Sequence, residues 1–195
     1  MAKRFFLTFP LLILMCFLYM PCGSESAAPA ASFIRTSCRA TTYPSVCVDS
    51  LSSYASTIRK SPKQLVMTAL SVSVERAQST KSFVRNLSKL SGLKPREYAA
   101  IRDCLEQVSD SVDRLSDSAR ELKRLGQGRG PEFIWHLSNL QTWVSAALTD
   151  DSSCMDGFSG RALDGRIKSS VRARLTSVAQ VTSNALALCN QFAGN

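Results

Sequence analysis

Seven cysteines, one histidine and a row of carboxylates are the residues here whose types and spacing could do chemistry. The histidine, His136, stands beside Trp135 with no nucleophile elbow and no oxyanion loop near it. A Ser-His-Asp arrangement has nothing to assemble on, and a helix-face histidine of this kind is structural or solvated. There is no Cys-x-x-Cys and no His-Glu-x-x-His, and the cysteines suit bridges better than a metal. Gly126, Gly128 and Gly130 follow a helical segment rather than a strand, so they read as a connector and not as a nucleotide loop. Glu106, Asp110, Asp113 and Asp117 step by four, three and four, which puts them on one face of a helix. A glycosidase sets two carboxylates across a cleft, and a convex helix face has none. The row is therefore a solvated acidic stripe or a docking surface. Nothing in the sequence calls for a cofactor, and an enzyme is not expected.

The compartment decides what the cysteines do. Residues 1–30 read as a signal peptide and short leader. Lys3 and Arg4 form a basic start, Phe5 to Met20 is nearly all apolar, Pro21-Cys22-Gly23-Ser24 breaks it, and Ala28-Pro29-Ala30 resembles a cleavage site. Cleavage is expected between about residues 23 and 31. No later stretch is apolar for long enough to cross a bilayer, so no membrane partner is expected. Export leaves Cys38, Cys47, Cys104, Cys154 and Cys189 in oxidising surroundings, enough for two bridges and one free thiol. Asn86-Leu87-Ser88 is an N-glycosylation sequon, usable if exposed. The net charge is +9. An exported chain rarely meets nucleic acid, so the relevant polyanions are acidic polysaccharides and acidic proteins. The basic residues are spread out except between Arg161 and Arg174.

Four long segments of helical period position these groups. The first runs from about Pro62 to Leu90 with Ser61 as a candidate cap, and the second from about Pro95 to Leu125. In the second, Tyr98, Ile101, Leu105, Val108, Val112, Leu115, Ala119 and Leu122 alternate steps of three and four. The third runs from about Glu132 to Cys154, with Phe133, Leu137, Leu140, Val144 and Leu148 on its buried face and Trp135 and Trp143 adding bulk. The fourth runs from about Arg166 to Phe192. Short Gly/Pro connections make this an all-α protein, an antiparallel up-down-up-down four-helix bundle over 61–195. Residues 31–60 are shorter pieces, an N-terminal α-hairpin, so 31–195 forms one domain.

The midpoint of Cys104 and Cys154 is position 129, inside the loop between the second and third segments. Residues equidistant from such a loop lie level, so a bridge between them fits without moving either helix. Cys38 and Cys47 would then close a short loop around Tyr43-Pro44. Pairing of Cys38 with Cys104 or Cys154 stays open on spacing alone. Cys189 falls on the apolar seam of the fourth helix, as a buried small hydrophobe or as a reactive or intermolecular thiol.

Several stretches together resemble the plant inhibitors of invertase and pectin methylesterase. They are Cys38-Arg-Ala-Thr-Thr-Tyr43-Pro44-Ser-Val-Cys47, Asp103-Cys104-Leu105-Glu106 with Asp110-Ser-Val-Asp113, Ser138 to Thr149 followed by Cys154, and Ser183 to Leu188. The esterase-inhibitor branch is the more similar. The resemblance implies bridges Cys38–Cys47 and Cys104–Cys154, and residence in the apoplast. It implies a monomer that binds pectin methylesterase one to one and covers its active-site cleft. Matched by motif, Glu106, Asp110 and Ser153 would belong to the docking surface, Ser153 standing where the family often has Thr. An acid invertase is the alternative partner. Weak contact of Arg161, Arg166, Lys168, Arg172 and Arg174 with acidic, demethylated pectin is a further expectation.

Overall fold

The computed structural model describes residues 27–126, 129–160, 163 and 165–194. The expected signal peptide lies outside them over residues 1–26, as do Gln127, Gly128 and Arg161. The described helices are α1 (Ala27–Cys38), α2 (Pro44–Leu51), a 3-10 turn (Ser52–Tyr54), α3 (Ala55–Ile58), α4 (Pro62–Leu87), α5 (Pro95–Arg124), α6 (Pro131–Gly157) and α7 (Arg166–Gly194).

Proline opens four of these helices, at Pro44, Pro62, Pro95 and Pro131. Its fixed φ suits a first turn, and its missing N–H is one that a helix start leaves unpaired anyway. Ser61 caps α4 as expected, its hydroxyl accepting from the Gln64 amide at 3.3 Å. At the start of α5 the carboxylate of Glu97 accepts from the Lys94 amide at 2.9 Å. Between these helices Gly92 takes a φ of 79°, a left-handed turn that resists a side chain. The first long helix stops at Leu87, one turn earlier than its apolar period suggests, and Leu90 is left half-exposed.

The long helices pack in ring order, α4 on α5, α5 on α6, α6 on α7 and α7 back on α4. Three layers fill the interior. Leu70, Leu122, Leu140 and Leu188 pack with Ile34 and Ile58 near the hairpin. Ala77, Val112, Leu115, Ala147 and Val178 make a narrow middle. Val84, Ile101, Phe158, Val171 and Leu175 close the other end around Cys104 and Cys154. Each fully buried Leu, Ile, Val or Phe contributes roughly 1.5–3 kcal/mol through apolar surface removed from water. Of the periodic positions of α5, Ile101, Val108, Val112, Leu115 and Leu122 are buried and Leu105 and Ala119 partly buried, while Tyr98 is half-exposed in the first turn. On α6, Leu137, Leu140 and Val144 are buried, whereas Trp135 is largely exposed.

The N-terminal hairpin has no separate core. Ile34, Leu51 and Ile58 pack into the bundle layer, and Cys38–Cys47 ties α1 to α2. Asn184 of α7 grips it from the other side. Its Oδ1 accepts from the Tyr43 amide at 2.8 Å, and its Nδ2 donates to the Tyr43 carbonyl at 2.9 Å. Gln191 Nε2 donates to the Ser37 carbonyl at 3.2 Å. Helix α1 begins inside the span where cleavage is expected, and Ala30 is buried. A cut at or before residue 26 leaves α1 whole, and a cut at 31 removes its first turn.

Cys189 is fully buried, and burial pushes its thiol up to about 12. A thiol so far from ionising is packing and not a nucleophile. Among the described residues no helix is long and apolar enough to cross a membrane.

Candidate functional site

The α5–α6 pair is the most tightly associated in the bundle, and its register follows from chemistry at three levels. At one end Cys104 and Cys154 form the second bridge, their Cα atoms 4.4 Å apart. Nearly three turns further along α5 and about one turn back along α6, Arg114 Nε donates to Asp150 Oδ2 at 2.6 Å. Near the other end His136 Nδ1 donates to Glu121 Oε2 at 2.5 Å. A glutamate and a histidine, both buried, are thus paired across the loop that joins the two helices.

The carboxylates expected to dock lie along one edge of this seam. Asp110 is close enough to Asp150 to raise its carboxyl electrostatically. Glu106 lies four residues back along α5, and Ser153 three residues forward along α6. Because the helices run antiparallel, both steps lead the same way, so Glu106 and Ser153 share the next turn of the same edge. Glu106, Asp110 and Ser153 are exposed. The Ser153 hydroxyl donates to the Thr149 carbonyl at 2.9 Å, which leaves its oxygen facing outward as an acceptor. Asp113 completes the acidic face, while Asp117 is half-buried and ion-paired with Arg120.

Two features of this seam were not anticipated from the sequence. Asp151, next to Asp150, is wholly buried. Neither of its carboxylate oxygens has a hydrogen-bond partner, and nor has the Ser111 hydroxyl near it on α5. Burial pushes the Asp151 carboxyl up to about 7, and the charge of Asp150 adds to this. Ser111 is near enough to oppose the rise but too poorly aligned to cancel it. Asp150 is also raised, because burial outweighs the help it receives from Arg114.

The second is the His136–Glu121 pair, with Arg124 Nη1 donating to the other Glu121 oxygen at 3.0 Å. His136 is the structural histidine of the two alternatives. Replacing it with alanine removes the inner partner of a buried carboxylate, and the expected cost is about 2–3 kcal/mol. Glu132 lies 3.7 Å from His136 Nε2 but is 88% exposed, so Glu132→Ala should change stability little. Chemical denaturation of the two variants checks both, and equal losses would refute the assignment.

The basic residues at the start of α7 have different surroundings. Lys168 Nζ donates to the Ser159 and Gly160 carbonyls, both at 3.3 Å. Arg174 lies 4.2 Å over the ring of Phe83, Arg166 and Arg172 are exposed, and Arg161 lies outside the described residues. Asn86 is exposed in the last turn of α4. Among the described residues no group of His, Cys, Asp and Glu is arranged to hold a metal.

Comparison with known proteins identifies what such a bundle is similar to. Residues 32–188 match the family described as plant invertase/pectin methylesterase inhibitor. The chain is 58% identical to a 21 kDa protein of Daucus carota, over 88% of this chain and 89% of that one. It is 49% identical to pectinesterase inhibitor 11 of Arabidopsis thaliana, over 99% and 98%. In fold it matches the crystal structure of a mutant form of an Arabidopsis pectin methylesterase inhibitor, with a TM-score of 0.64 at 22% identity, over 80% of this chain and 95% of that one.

Proposed function

The chain belongs to the plant invertase/pectin methylesterase inhibitor family, and from that membership we propose that it is a secreted protein inhibitor of pectin methylesterase. It binds the enzyme one to one over the active-site cleft and limits demethylesterification of pectin in the cell wall. It is a binding protein and not an enzyme. The observation that carries this reading is the end-to-end match to a pectinesterase inhibitor. That an invertase is not the target is favoured by the several relatives named for the esterase.

The edge formed by Glu106, Asp110 and Ser153 is the docking surface in this reading. Three properties support it. The residues are exposed. They stand on rigid helices, so little ordering cost opposes binding. The Cys104–Cys154 bridge and the Arg114–Asp150 pair hold the two helices in register beneath them. The exposed sequon at Asn86 supports attachment of a glycan on α4.

The test is a titration of the secreted protein against a pectin methylesterase and, separately, an acid invertase. Stoichiometric loss of esterase activity alone is expected. Reversing both charges, Glu106→Lys with Asp110→Lys, should weaken inhibition about 100-fold. Because both side chains are exposed, the melting temperature should change little. Ser153→Ala should cost less, about 1 kcal/mol or less than tenfold. Unchanged inhibition by the charge-reversed protein would exclude this edge. Inhibition of invertase alone would assign the chain to the sister target.

A further inference from the structure

On the far side of the bundle from the α5–α6 seam, α4 and α7 enclose an open groove of about 510 Å³. That lies within the roughly 300–1,000 Å³ typical of small-ligand sites. Arg76, Thr80 and Phe83 line it from α4, and Ser170, Arg174 and Ser177 from α7. Both guanidiniums are held in place. Arg76 Nη1 donates to Ser177 Oγ at 2.6 Å, and Arg174 lies over Phe83, its Cζ 4.2 Å from the ring centre. No carboxylate lines the groove. Among the described residues neither arginine has an acidic side chain at ion-pair distance. Exposed Arg166 sits one turn before Ser170 and extends the same positive edge. Two preset guanidiniums with open donors, hydroxyls between them and no internal anion make a receptor for spaced carboxylates on a hydroxyl-rich chain.

We propose that the groove between α4 and α7, through Arg76 and Arg174, binds the galacturonate chain of demethylesterified pectin. The choice of galacturonate rests on the wall residence argued above, while the preference for an anionic sugar rests on the groove alone. The docking edge and the groove lie on opposite sides of the ring, so the protein can hold the enzyme and the enzyme's polymeric product together.

The secreted protein is titrated calorimetrically with a long galacturonate oligomer, with its methyl ester, and with a sulfated glycan of equal charge, at low and physiological salt. Binding of the galacturonate, and not of its ester, is expected, weakening steeply with salt. Arg76→Gln with Arg174→Gln should lower the affinity at least about tenfold. Ser79→Glu, which sets an anion among the groove-lining residues, should do the same. Both variants should stay folded, with at most a small change in melting temperature, and keep the parent's inhibition of the esterase. Absence of binding, equal binding of the methyl ester, equal or tighter binding of the sulfated glycan, or unchanged affinity in both variants would each overturn the proposal. The Glu106→Lys, Asp110→Lys protein should bind galacturonate like the parent. The two sites can therefore fail separately.

Discussion

Stability should fall as pH rises from about 4 to about 7, and Asp151→Asn should remove most of that fall. Below its ordinary value of 3.8 the Asp151 carboxyl is protonated whether the chain is folded or not. Between 3.8 and about 7 the folded protein keeps that proton and the unfolded chain releases it. The folded state is then disfavoured progressively, until the carboxylate ionises in place at about 7 and the loss levels off. Each tenfold difference in proton affinity between the folded and unfolded chain is worth about 1.4 kcal/mol, so the full effect is on the order of 4 kcal/mol. The cause is desolvation that Ser111 opposes only in part and the neighbouring Asp150 charge reinforces. Asparagine has a similar shape and cannot ionise, so the variant should have a flatter profile and gain relative stability at neutral pH. The measurement is the difference between parent and variant in denaturant unfolding at several pH values, which subtracts the other titrating groups. Parallel profiles would mean that Asp151 is not protonated in the folded state. In a mildly acidic wall the protein would therefore work where its most costly buried group is neutral.

The second large effect belongs to the Cys104–Cys154 bridge. It joins residues 50 apart, against 9 for Cys38–Cys47. In the chain-entropy account the longer closure restricts the unfolded chain more, giving about 4 kcal/mol against about 3. Cys104→Ala with Cys154→Ala should thus lower the melting temperature by about 10 °C. It should still inhibit when folded, because Arg114–Asp150 and Glu121–His136 keep α5 and α6 aligned. Thermal melts of the two bridge-deleted proteins, with inhibition measured on each, make the comparison. A greater loss from the hairpin bridge would refute the ordering by loop length. Loss of inhibition in the folded Cys104→Ala, Cys154→Ala protein would show that the bridge, and not the polar pairs, holds the edge.

The architecture was legible because its punctuation is strong. Prolines at 62, 95 and 131 begin helices where they stand in the sequence, and the apolar steps between them mark the buried faces. Cys104 and Cys154 lie at equal distance from one loop, and the structure forms that bridge as well as Cys38–Cys47. The same rule would have found Glu121 and His136, which share almost the same midpoint. His136 alone reads as a polar residue on a helix face, and Glu121 carries no signal of its own. Asp151 was hidden for a different reason. It sits in the polar run Thr149-Asp150-Asp151-Ser152-Ser153, and only the approach of α5 buries it. Ser111, a polar interruption between Val108 and Val112 on a buried face, was the trace it left in the sequence. The half-exposure of Tyr98 and Trp135 was equally out of reach, since periodicity records which residues are apolar and not how many neighbours a helix end has. The groove was illegible because Arg76 and Arg174 meet only when α7 closes the ring against α4.

The grip of Asn184 on Tyr43 spans 141 positions of the chain. A ribosome adding about 5–20 residues per second delivers Tyr43 roughly ten seconds before Asn184. In that interval the hairpin has neither its clamp nor the Leu188 layer that covers Ile34 and Ile58. The tie within its own reach is the bridge between Cys38 and Cys47, nine residues apart. The shorter disulfide, weaker as a brace for the finished protein, is thus the one suited to hold a nascent segment in shape until the last helix arrives.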